Sequence, residues 1–194
     1  LRTHNEHQKK GYGIRVVDEI VSLAKEKGIK DLRYCTSSRN IASMKLAERA
    51  GFVLTEKVGY ARIYKPFPPH PKPSSSLIPL EVDAERAFDA IHSTPELIES
   101  NFIPVAWEFE DKTLAGLRRL EKETTFKLTI GPDGKPLGFF FKKYRERKGI
   151  KSIVHSVFTH ERSVFVDIIS RLLEEVDSDV DRCVFFLGNS GGEW

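Results

Sequence analysis

The chain is poor in cysteine, with Cys35 and Cys183 alone among 194 residues and in opposite halves. Two thiols define no disulfide scaffold, and both fall inside predicted strands, where buried reduced cysteine is the expectation. Methionine occurs once. No apolar run approaches the roughly 20 residues that cross a bilayer, so no membrane association is expected. The first residues carry no secretion-signal pattern, and cytoplasmic residence is the expected default. The histidines at 4, 7, 70, 92, 155 and 160 share no ligand spacing with one another or with cysteine, so no metal site is expected.

What is present is ordinary for a globular protein: 40% hydrophobic and 30% charged residues, in a length that suits one large core or two modest ones. Proline is unevenly spread, with six of the ten between Pro66 and Pro79, around Ser74-Ser75-Ser76. Such a tract supports neither helix nor ladder and reads as an exposed, semi-rigid linker. The expected organisation is a first unit over 1–65, a linker over 66–79 and a second unit over 80–194.

Charge divides at the same place. Residues 1–65 hold 14 Lys and Arg against 7 Asp and Glu, a net +7, and the remaining 17 against 21 give −4. A basic first unit suits an anionic ligand. Arg33, Tyr34, Arg39, Lys45 and Arg49 make only a loose patch, without helix-turn-helix spacing, zinc pattern or aromatic RNA-binding motif, so nucleic acid is not an expected partner. The run Lys142 to Lys148 reads as a solvated hairpin edge.

The segment with the clearest link to chemistry is Gln8-Lys9-Lys10-Gly11-Tyr12-Gly13, which runs into a helix-period stretch from Ile14 to Lys27. A glycine-rich turn at a helix start leaves unpaired N–H groups at the positive end of the helix dipole, where a phosphate is held. Gly28 stops the helix, and Leu32 to Thr36 reads as a short strand. A second helix follows from about Ile41 to Arg49, with Asn40 as its N-cap, and ends at Gly51-Phe52.

This order resembles the GCN5-related N-acetyltransferase (GNAT) family. Its coenzyme A loop, Arg/Gln-x-x-Gly-x-Gly/Ala, is matched by Gln8, Gly11 and Gly13. Its later signature, Asn-x-x-Ala/Ser-x-x-Leu-x-x-x-x-Gly-Phe, is matched by Asn40, Ser43, Leu46, Gly51 and Phe52. The resemblance implies acetyl-CoA as cosubstrate. The loop from Gln8 through Lys9, Lys10, Gly11, Tyr12 and Gly13, with Ile14 behind it, would take the pyrophosphate. Asn40 would face the pantetheine with Ser43 nearby, although helix capping alone also accounts for Asn40.

The departures are as informative. Many family members carry a tyrosine directly after the signature leucine, placed to protonate the CoA thiolate; here that position is Ala47, and no catalytic residue is assigned. Only Leu1 to His7 precede the loop, so the first unit is expected to be the second half of a GNAT domain. Its closing hairpin is expected from Phe52 to Lys57 and Ala61 to Lys65.

From Leu80 onward the pattern predicts helices at Asp83 to His92 and Pro95 to Ser100, a strand at Ile103 to Phe109 and a helix at Lys112 to Glu123. Strands Phe126 to Ile130 and Leu137 to Tyr144 flank a Gly-Pro-Asp-Gly turn. A strand near Ser152 to Phe158, a helix from Arg162 to Val176 and a buried strand from Arg182 to Leu187 complete the order. This resembles the front of the same fold, without a CoA loop: the turn Thr159-His160-Glu161-Arg162-Ser163 has no glycine, and Glu161 repels a pyrophosphate.

The expected fold class is therefore α/β (α+β), a GNAT-like mixed sheet flanked by helices. It comprises a truncated first unit and a second GNAT-like unit. The expected activity is acetyl transfer from acetyl-CoA to an amine of a small molecule or protein. The alternative is a catalytically inactive CoA-binding or protein-interaction module. Completion of the first unit by a second copy, as a homodimer, or by a missing N-terminal half is the expected partnership.

Overall fold

The computed structural model describes residues 5–7, 9–73 and 77–188, and the chain divides into compact units over 1–55 and 56–194. Gln8 and the Ser74-Ser75-Ser76 stretch of the expected linker lie outside the described residues.

In unit 1, α1 spans Tyr12–Glu26 and buries Val17 and Ala24. Gly28, at φ 67°, closes it in a left-handed turn: its N–H donates to Lys25 O at 3.0 Å, and that of Ile29 to Ala24 O at 2.9 Å. Helix α2 spans Ile41–Arg49 behind Asn40 and ends similarly at Gly51, φ 83°. Leu32 to Thr36 is not a strand, and the described residues of unit 1 contain no paired strand. β propensity alone does not make a ladder, because each N–H and C=O needs a neighbouring strand. Tyr34 instead turns its ring toward Phe52, 5.5 Å between centroids.

Unit 2 is built on a six-stranded sheet. Its strands are β1 (Gly59–Tyr64), β2 (Leu80–Val82), β5 (Phe126–Ile130), β6 (Pro136–Arg147), β7 (Ile150–Thr159) and β8 (Arg182–Leu187). Their order is β1-β8-β7-β6-β5-β2. The β7 and β8 pair is parallel and all other neighbours are antiparallel, so the α+β fold class read from the sequence holds. Between β2 and β5 come α3 (Ala84–Ser93), a hairpin of β3 (Phe102–Val105) and β4 (Glu108–Asp111), and α4 (Leu114–Glu121). Helix α5 (Arg162–Glu174) links β7 to β8.

The run Phe139-Phe140-Phe141 explains the two cores. Successive strand residues face opposite sides. Phe139 and Phe141 join Phe126, Phe158 and residues of α3 and α4 on one face. Phe140 joins Val157, Cys183, Phe185 and Val164, Ile168 and Leu172 of α5 on the other. A strand apolar on both faces must lie inside a covered sheet, and β6 does.

Three local expectations are corrected. The stretch 103–109 is a hairpin, β3 pairing with β4, because Ala106 adopts φ 59° and reverses the chain. The stretch Pro95 to Ser100 forms only a 3-10 turn, Pro95–Leu97. The expected hairpin of 52–57 with 61–65 does not form: β1 pairs antiparallel with β8, Ala61 opposite Phe185. Its inward Ala61 and Ile63 pack against the α5-side core.

Gly116 is fixed by close approach. A β-carbon there would lie 2.2 Å from the carbonyl oxygen of Asp111, because the start of α4 folds back on the end of β4. Thr113 caps that helix, its Oγ1 accepting the Gly116 N–H at 3.1 Å.

Candidate functional site

The glycine-rich turn has the conformation that its composition predicts. Gly11 caps α1 at φ 79°, ψ 0°, a left-handed geometry costly for any residue with a β-carbon, and no side chain caps the helix. Lys9 also has positive φ, 61°. The Arg15 N–H donates to Gly11 O at 3.3 Å, so the amides of Tyr12, Gly13 and Ile14 precede the intrahelical ladder. Nothing lies within 4 Å of where a Gly11 β-carbon would stand. Lys9, Lys10, Gly11 and Tyr12 are exposed, and Gly13 and Ile14 half-buried. The turn therefore combines uncapped first-turn amides, a helix dipole and two cations.

Asn40 caps α2, its Oδ1 accepting the Ser43 N–H at 3.2 Å. Ser43 Oγ is 2.7 Å from the Tyr34 hydroxyl. This Tyr34–Ser43 contact has no sequence signal, because the two residues come from an extended segment and a helix face. Ala47 lies one turn beyond Ser43 on α2.

The β7–α5 turn of unit 2 is built the opposite way. Thr159 Oγ1 donates to Leu137 O at 2.7 Å and accepts the Glu161 N–H at 3.1 Å. That second bond satisfies the N–H of the N-cap residue Glu161; α5 itself has no side-chain cap and carries the Glu161 carboxylate at its start. The β7–β8 ladder runs through Val157 and Leu187, and the Gly188 N–H continues it to Val157 O at 3.2 Å.

Two further groups stand out. His155 is buried between β6 and β8, stacked on Phe185 at 4.9 Å, and neither ring nitrogen has a hydrogen-bond partner. Burial, with a smaller contribution from Lys142, pushes its pKa down to about 3. Burial likewise raises the Cys183 thiol to about 11, which leaves it unreactive at neutral pH. Among the described residues no cluster of His, Cys, Asp or Glu has metal-binding geometry, and no helix is long and apolar enough to cross a membrane.

Residues 1–52 match the profile of the acetyltransferase (GNAT) family. No curated protein matches the sequence. A GCN5-related N-acetyltransferase from Sphaerobacter thermophilus shares the fold at a TM-score of 0.56 and 12% identity, over 95% of this chain and 61% of its own. One from Anabaena variabilis ATCC 29413 has a TM-score of 0.48 and 13% identity, over 95% of this chain and 45% of its own. The chain thus spans about half to three-fifths of the length of these structures. The fold is a mixed sheet flanked by helices, similar to that of the Sphaerobacter thermophilus structure, and the likeness to the GNAT family profile lies in residues 1–52.

Proposed function

We propose that this chain is an N-acetyltransferase that takes acetyl-CoA as cosubstrate and passes the acetyl group to an amine. One observation carries the reading: in the Lys9 to Ile14 turn Gly11 is left-handed and no side chain caps α1, so its first amides have no capping acceptor beside two exposed lysines within the matched segment. The amides of Gly11 to Ile14 hold the pyrophosphate, Lys9 and Lys10 add opposite charge, and Asn40 with Ser43 borders the pantetheine. The acceptor amine attacks the thioester carbonyl, a C–N bond forms, the C–S bond breaks, and the amine loses a proton. The departing thiolate takes its proton from solvent or the ammonium, since the Ala47 methyl donates none. Unit 2 is read as binding no CoA of its own, because its β7–α5 turn has no glycine and sets the Glu161 carboxylate at the helix start, where it repels a pyrophosphate.

Calorimetry with CoA tests the turn. Gly11→Val forces a β-branched residue into positive φ and is expected to weaken CoA at least about tenfold. A thiol-release assay with acetyl-CoA and mixed amines then tests turnover. Failure of the unaltered chain to bind CoA overturns the reading. Ala47 favours a second one, a CoA-binding or interaction module without turnover, whose signature is binding without thiol release. Sedimentation with and without CoA tests completion by a second copy.

A further inference from the structure

The exposed face of β1 carries a pattern independent of the CoA turn. Its inward residues Ala61 and Ile63 belong to the core, and its outward residues are Tyr60, Arg62 and Tyr64. The Arg62 guanidinium lies between the two phenols: Nε donates to the Tyr60 hydroxyl at 2.9 Å and Nη1 to that of Tyr64 at 2.7 Å. Tyr64 and then Tyr60 hold its pKa above the ordinary value. Neutral hydroxyls orient this cation without neutralising it.

Neighbouring elements extend the pattern. Trp107, in the β3–β4 turn, stands 5.3 Å from the Tyr60 ring and 5.6 Å from Phe186 beneath it. Arg182 lies opposite Tyr64 in the ladder and donates through Nε to Ser152 Oγ at 2.7 Å. The three outer rings remain open to solvent, Tyr60 at 40%, Trp107 at 45% and Tyr64 at 53%. Along β1, ring, cation and ring alternate about every 7 Å, the two-residue repeat of a strand.

We infer that this face binds single-stranded nucleic acid, with bases stacking on Trp107, Tyr60 and Tyr64 and phosphates meeting Arg62 and Arg182. Stacking platforms interleaved with cations suit a flexible chain of π-faces joined by anions. Base pairing would withdraw those faces in a duplex, and an acidic peptide would use the arginines but not the rings. The pattern is invisible in linear sequence because its residues come from three segments, 60–64, 107 and 182.

Fluorescence anisotropy of the full chain with a labelled oligothymidylate of about ten nucleotides tests this. Binding is expected to weaken with salt, and Trp107→Ala to reduce affinity about tenfold. Arg62→Gln is expected to flatten the slope of log affinity against log salt by about 0.7. Lys135→Ala, in the β5–β6 turn, should change neither. Because Trp107 packs on Phe186, Tyr64→Ala serves as a second ring variant, with folding checked by circular dichroism. Absence of binding, equal binding of a duplex, indifference to Arg62→Gln or to both ring variants, or equally effective displacement by polyglutamate each overturns the proposal.

Discussion

Replacing His155 by phenylalanine should change how stability depends on pH. In the folded chain this imidazole is buried without a hydrogen-bond partner and its pKa falls to about 3, from 6.5 when unperturbed. Between those values the unfolded chain binds a proton that the folded chain refuses, so unfolding becomes easier as pH falls. The contribution is complete above the unfolded value and is lost progressively toward the folded one. Each pH unit in the window is worth about 1.4 kcal/mol, giving about 5 kcal/mol across it and about 2 kcal/mol by about pH 5. Phenylalanine preserves a ring against Phe185 and removes both unpaired nitrogens. Urea unfolding by circular dichroism should show wild type losing about 2 kcal/mol more than His155→Phe between about pH 7.5 and pH 5. Carboxylates titrate in both proteins and cancel in the comparison. Parallel profiles would refute the reasoning, since they would mean that the imidazole accepts its proton equally in both states.

Gly116→Ala drives a methyl group into the Asp111 carbonyl and should cost about 2 kcal/mol, read as a melting midpoint lower by about 8 °C. Phe140→Ala empties the α5-side core beside Ile168 and Phe185 and should cost roughly 3–5 kcal/mol in urea unfolding. Asn40→Ala removes the cap on the Ser43 N–H and should cost about 1 kcal/mol, detected as faster amide exchange in the first turn of α2. With CoA present, Asn40→Ala should also weaken binding, whereas a pure capping role leaves binding unchanged.

Local chemistry made much of unit 2 legible. β5 and β8 lie where alternation and apolar runs put them, and α3 to α5 follow their helical stripes within about two residues at each end. The errors share a cause: strand identity depends on a partner. Leu32 to Thr36 has strand-like residues but no strand beside it among the described residues of unit 1. Residues 61–65 were legible as a strand, whereas its start at Gly59, where a turn was expected, and its pairing with β8, more than a hundred residues later, were not. The reversal at Ala106 was hidden because alanine rarely takes positive φ. At the candidate site the glycine turn and the Asn40 cap were readable because capping chemistry is contiguous. The Tyr34–Ser43 contact and the aromatic face on β1 required the chain to be folded first.

The partnership of β1 with β8 has a consequence for biogenesis. β1 leaves the ribosome more than a hundred residues ahead of its hydrogen-bonding neighbour β8. The inward side of β1 must therefore wait while the intervening strands and helices collect around the growing sheet. Closing so long a loop is a slow, late step, and the unpaired edge invites wrong partners until it occurs. Shortened chains that stop before Arg182 should accordingly be the aggregation-prone ones.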